Sequence, residues 1–445
     1  MISQQDIPLY EEAVNEFSKL SASGAIGKES GDLRRKRQSA FEKFRESGFP
    51  TIRNEDWKYT NIARFLKDEY ALDGQTAEVP AIALSLWEQA RIPELDCTIL
   101  VLINGVWQKN LTVGELPAGV ELLSVAEARL DPALSAHFER SAEGKDRHFA
   151  ALNTALFSDG LFIRAAANAA PGKPLHIIHV FTSDHNRMLQ PRHVWVLNRN
   201  AEMTIIESII SGPATAKIWS NGFTEISVAT DAKLDHTVIQ AAGEGIRLVQ
   251  HTAVHQKKQS LYNNYTFTFP GAELVRNDLQ ARLEEDHTET HLYGLYLTAG
   301  QQLVDNHTLV DHQKPACYSN ELYKGVLLEQ STGVFNGKVY VHQDAQKTNA
   351  FQQNNNLVIS KKATIDSKPE LEIFADDVKC SHGSTVGQFS EESLFYLRAR
   401  GIGEEAAKAL LIQAFAFDVT EKIRIPAVQA AINELISHHI PVNNA

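Results

Sequence analysis

Along the first hundred residues, apolar positions recur at helical spacing. In LRRKRQSAFEKF, Leu33, Phe41 and Phe44 share one helix face, and Ser47-Gly48 followed by Pro50 supplies a stop. The basic run Arg34 to Arg37 falls inside this helix and reads as a solvated face. Downstream, in RNEDWKYTNIARF, Trp57 and Tyr59 are the expected anchors against the body. From about Cys97 the period changes. Short β-branched and aromatic runs follow (TILVLI, PLHIIHVF, HVWVLN, MTIIESII, TEISVAT, LYNNYTFTF, LEIFA), each bounded by Gly, Asn, Asp or Pro. Between Pro171 and Gly387 no helical stretch stands out, which excludes strands alternating with crossover helices.

A turn of small residues leading into a strand recurs at Ala201, Ala232, Ala272, Gln301 and Ala363. Most of these starts lie about 30 residues apart, with a longer gap before Ala272 and one turn missing near Gly333. A fixed period in a strand-rich chain is how stacked solenoid coils read, whereas the strands of a β-sandwich need not repeat. The predicted fold is mainly β. A right-handed parallel β-helix spans residues 97–389, between an N-terminal helical region (1–96) and a C-terminal helical domain (390–445). In the latter, Ala406, Leu410, Ala414 and Phe417 form a helical stripe, widened by Leu411 and Phe415. Glu404 and Glu405 suit the positive end of that helix. A second helix, AVQAAINELISHH, follows Pro426. Such helices either cap the solenoid or dock a partner.

Composition narrows the function. The 445 residues are 43% hydrophobic and 22% charged, enough for a large core without disulfide or structural metal. A net charge of −12 argues against nucleic acid and against anionic membranes. The segment Met1 to Glu12 carries Asp6, Glu11 and Glu12 without an apolar core, so no secretory signal is expected. No apolar run is long enough to span a bilayer. Three dispersed cysteines, Cys97, Cys317 and Cys380, fit a reducing cytosol. The chain reads as soluble and cytoplasmic.

The densest reactive cluster is ADDVKCSHGSTVG, with Asp376, Asp377, Cys380 and His382. On a strand, Cys380 and His382 point to one face and can converge on one metal. Two ligands do not close a site, so any metal would be exchangeable or completed by another chain. The two carboxylates disfavour a Cys380 thiolate and suit cation capture better than nucleophilic catalysis. The competing reading is a half-buried cysteine and a hydrogen-bonded histidine in a solenoid rung. Around Cys317, the residues Asp305, His307, Asp311 and His312 read as satisfied buried turns rather than a second polar site. His251, His255, His287 and His291 lack paired-ligand spacing and read as surface or satisfied core residues.

No nucleotide site emerges. Gly333-Val-Phe-Asn-Gly337-Lys338 is one residue short of a phosphate loop, and Val339 stands where Ser or Thr would bind magnesium. A carbohydrate-active β-helix enzyme needs two positioned carboxylates, but Asp376 and Asp377 adjoin on a strand and face opposite ways. A hexapeptide-repeat acyltransferase needs a strict six-residue period that is absent. No catalytic residue is assigned.

The stretch from Phe335 to Ile402 resembles the C-terminal half of SufD proteins, of the SufB/SufD family of the SUF iron–sulfur cluster assembly system. The blocks that carry it are AQKT, the NNNL run, KPELEIFADDVKCSHGSTVG and FYLRARGI, with weaker agreement in DHQKPACYSNELYKG and DWKYT. The resemblance implies a right-handed β-helix between helical terminal domains and a scaffold without turnover of its own. It implies two partners: SufB, paired through the β-helix, and the ATPase SufC, docked on about Glu391 to His439. It places Cys380 and His382 at the SufB contact, handling iron or an iron–sulfur cluster transiently, with no stably bound cofactor. The intact KCSHG block and the shorter chain favour SufD over a SufB-type scaffold. An isolated chain could pair with a second copy through an open strand edge.

Overall fold

The computed structural model describes residues 4–72, 79–138, 148–213 and 215–440. Its β-branched runs stack side by side in parallel instead of folding back as hairpins. Successive strands alternate between two ten-stranded sheets. Pairing is parallel throughout except at the N-terminal edges, where Thr98–Ile103 meets Val106–Trp107 and Val120–Ser124 meets Leu161–Ala165 antiparallel. The result is a parallel β-solenoid with helical regions at both ends of the chain. Before the regular rungs the chain inserts short helices, among them His148–Leu156.

Strands of the first sheet begin at Glu202, Lys233, Leu261, Glu289, Tyr318, Asn349 and Lys379, in steps of 28 to 31 residues. Two residues before six of these starts sits a left-handed residue: Asn200, Asp231, Gln259, His287, Ala316 and Lys347, with φ between 56° and 61°. A left-handed residue turns the chain sharply enough to begin the next rung. This series explains the irregular repeat. Ala201 and Ala232 introduce first-sheet strands, whereas Ala272, Gln301 and Ala363 introduce second-sheet strands. The longer gap marks a change of sheet, not an insertion, and the strand Thr332–Val341 fills the missing turn.

Inward-facing side chains stack in columns. One first-sheet column runs Glu207, Val238, Thr266, Gly294, Tyr323, Asn354, Ser384; the adjacent one runs Ile205, His236, Asn264, Leu292, Glu321, Gln352, His382. The lumen is apolar in its first rungs, around Leu100, Trp195 and Ile226, and increasingly polar beyond. Helices and loops cover part of each sheet's outer face. The N-terminal region buries Trp57, Phe65 and Tyr70 against Trp219, Leu274 and Val334 of the second sheet. Trp57 is fixed by the Arg276 guanidinium 4.0 Å from its ring, while Tyr59 stays at the surface.

Two helix readings need correction. The Gly31–Ser47 helix forms where predicted, capped by Ser30 accepting from the Leu33 N–H. Its basic run, however, is not all solvated. Arg37 is fully buried, donates to the Ala155 and Phe157 carbonyls at 2.9 Å, and pairs with Glu29 at 2.9 Å. At the C-terminus, the Glu404–Thr420 helix packs Ala409, Ile412, Ala416 and Val419 on the first sheet, against Tyr265, Phe267 and Leu295. The predicted stripe lies on the other side: Leu410 and Phe417 face solvent. Small residues let the helix approach the sheet closely, so the side with smaller side chains became the core side.

Candidate functional site at the last rung

The strands Thr364–Ile373 and Lys379–Gly387 end the two sheets, each with one unpaired edge. Phe374 and Val386 are 56% and 58% exposed there, an apolar rim beside open hydrogen-bonding edges. Cys380 and His382 lie on the second of these strands, in register with Ala350 and Gln352 of the rung below. Both therefore belong to the lumen-facing columns; the two-residue spacing predicted only that they share a face.

The column beneath His382 is polar. Gln352 donates from Nε2 to Glu321 Oε2 at 2.6 Å, and burial without a cation pushes the Glu321 carboxyl up to about 7. Beside it, Ser384 and Ser367 hydrogen-bond at 2.8 Å across the two sheets, and Ser367 donates to Asn354 Oδ1 at 2.8 Å. These bonds hold the last rung to its predecessor without fixing Cys380 or His382. The Cys380 thiol is half-buried and free, and its pKa is raised as expected. The cause differs from the expected one. Burial raises it, opposed by the Ala350 amide, while Asp377 turns its backbone N–H to Gln346 at the corner. A protonated thiol beside an exposed imidazole is no ready nucleophile; it becomes a ligand when a metal displaces its proton. Among the described residues, no third His, Cys, Asp or Glu closes on this pair.

The other sequence candidates separate from it. Cys317 is buried, accepting from Thr288 Oγ1 at 3.0 Å, and His312 bonds Ser319 at 2.9 Å. His307 pairs with Asp305 at 3.0 Å, and His255 with Glu284 at 2.6 Å. The satisfied-core reading holds in part: these residues have partners, but Asp305 to His312 lie on the strand Leu303–His312 instead of in turns, and the buried His312 Nδ1 has no partner. At the C-terminus, no residue of the Glu391–Arg398 helix is buried, and Phe395 is 74% exposed. With Leu410 and Phe417 it leaves aromatic surface unpartnered.

The family profile described as "SUF system FeS cluster assembly, SufBD core domain" matches residues 179–415, and "SufBD protein N-terminal region" matches residues 4–177. The chain belongs to the SufBD family. An iron–sulfur cluster assembly SufBD family protein of Synechocystis is 32% identical over 98% of this chain and 96% of its own length. The iron–sulfur cluster assembly protein SufD of Escherichia coli is 29% identical over 91% of this chain and 92% of its own. The chloroplastic protein ABCI7 of Arabidopsis thaliana is 27% identical over 88% and 82%. As the family's profiles divide the chain, the boundary at residues 177–179 falls within the strand Leu175–Phe181, so the core profile begins inside the solenoid.

One cluster escaped the sequence reading altogether. Deep in the solenoid, His179 and His236 bond the two oxygens of Glu207 at 2.7 and 2.8 Å, and His193 lies close by. Chain separations of 14 to 57 residues hide it; only the register, which stacks residues about one rung apart, could have exposed it.

Proposed function

We propose that this SufBD-family chain is a non-catalytic, cytoplasmic assembly subunit whose last rung pairs with the SufB paralogue and presents Cys380 and His382 to incoming iron or a nascent cluster. One observation carries this reading. Two metal-capable side chains sit on the lumen-facing side of an unpaired terminal strand, with no third donor from the same chain among the described residues. Such a pair is an incomplete site that a facing strand can complete, and the apolar rim of Phe374 and Val386 favours its burial. The metal is cargo here, not a resident cofactor. When no paralogue is present, the same edge can pair with a second copy.

In this reading the ATPase SufC docks on the C-terminal helices, through Phe395, Leu410 and Phe417. No helix among the described residues is long and apolar enough to cross a membrane. The test is reconstitution of the three-component complex with Cys380→Ser and His382→Ala combined. Cluster formation is expected to slow roughly tenfold or more, since loss of even outer-shell partners of metal ligands costs on that order, with complex stoichiometry unchanged. Wild-type rates in the intact complex would remove these residues from the function.

A further inference from the structure

The buried cluster around Glu207 lies far from the last rung and plays no part in the reading above. Glu207 comes from the strand Glu202–Ser211, His179 from the preceding first-sheet strand Leu175–Phe181, and His193 from the second sheet, on Arg192–Leu197. All three are buried, and one ligand-capable atom from each lies within 4.8 Å of the others. They are among the residues lining a lumen cavity of about 40 Å³ that extends to Asn277 and Tyr323, where roughly 10–15 Å³ admits one water. His236, one rung on, holds the other Glu207 oxygen, and its own Nδ1 lies 3.1 Å from the Tyr262 hydroxyl.

Both oxygens of this carboxylate are held by histidines. Among the described residues its ion-pair partners are the two histidines, with no Lys or Arg. Two imidazoles and a carboxylate, with room for a water as fourth ligand and a histidine orienting the carboxylate from behind, match the donor set of first-row divalent metals. Ligands about 2.1 Å from a tetrahedral centre sit roughly 3.4 Å apart, so side-chain rotations of about an ångström close the site.

We propose that His179, His193 and Glu207 form a buried divalent-metal site, of the zinc, cobalt(II) or iron(II) class, separate from Cys380 and His382. The metal takes the place of the proton between His179 Nε2 and Glu207 Oε2, and that ring's proton moves to Nδ1. His193 accepts from the Leu161 N–H through Nδ1 at 3.1 Å. Coordination through its Nε2 therefore moves its proton to Nδ1 and ends the Leu161 bond.

The test uses the full-length chain, refolded in cobalt(II) because the lumen is enclosed. The expected result is one bound equivalent per chain with visible d–d absorption, and a melting midpoint raised by the metal. Cys380→Ser combined with His382→Ala should leave both unchanged. Glu207→Gln, and separately His193→Ala, should weaken binding at least tenfold and remove the midpoint shift. If either variant fails to fold, the wild-type midpoint and the remaining variant decide. No bound cobalt in the wild type, or cobalt lost only with Cys380 and His382, would overturn the proposal. Tight binding retained in both lumen variants would do the same.

Discussion

Glu29 sits screened from water between two arginines, Arg37 at 2.9 Å and Arg129 at 3.0 Å. Such a pair adds little net stability, but removing one partner strands a buried charge, at a typical cost of 3–5 kcal/mol. Glu29→Ala should therefore lower unfolding stability by about 3 kcal/mol, measured by urea titration. A loss within about 0.5 kcal/mol, ordinary for a surface change, would mean that Arg37 finds water. Glu321 makes the opposite kind of prediction. Its folded pKa is raised from 4.5 to about 7. The folded chain thus keeps a proton that the unfolded chain has released, and stability falls as pH rises through that window. The full term is about 3 kcal/mol. Glu321→Gln keeps a partner for Gln352 and removes the titration. Relative to wild type it should gain stability at pH 8 and little at pH 5; an equal change at both values would assign the effect to packing.

At the scale of the element, the rung is defined by two demands on the chain. Its corner needs a left-handed residue, and its lumen columns must interlock. Gly294 shows the second demand: a Cβ there would lie 2.3 Å from the Tyr323 ring, the next side chain in the same column. Tyr323 is buried and packed on Phe335, so it has no room to yield. Gly294→Ala should cost about 1–3 kcal/mol through overpacking, despite alanine's smaller conformational entropy loss. Gly383 in the last rung has nothing within 4 Å of its added Cβ. Gly383→Ala should be near neutral to the melting midpoint, so the pair of variants separates interior rung from open end. Equal effects would mean that the last rung is packed like the rest.

At the scale of the molecule, helices cover part of each outer face of the solenoid, and its last rung leaves one edge of each sheet unpaired. Deleting the C-terminal helices to test ATPase docking would confound binding with folding, because Ala409, Ile412 and Val419 cover Tyr265, Phe267 and Leu295. Phe395→Ser with Phe417→Ser avoids this, since both side chains are more than half exposed. Buried aromatic anchors at interfaces typically contribute 2 kcal/mol or more, about thirtyfold in affinity. Co-purification with the ATPase should be lost while the melting midpoint stays put; undiminished affinity would move the dock elsewhere.

The sequence by itself determined the change of period near residue 97, the repeat near 30 residues, and the shared face of Cys380 and His382. Each is local, set by side-chain alternation or by turn residues next to the strand they start. The family was legible for the same reason, in contiguous blocks such as KCSHGSTVG. Tertiary structure alone decided which helix face became core, because both faces are apolar and only close approach to the sheet favours the smaller Ala409 and Ala416 over Leu410 and Phe417. It also decided that Arg37 is buried, since Glu29 and the carbonyls of Ala155 and Phe157 meet it only after docking. The Glu207 cluster belongs with these. Its members are placed by parallel register between rungs, a long-range pairing that no short window of sequence encodes.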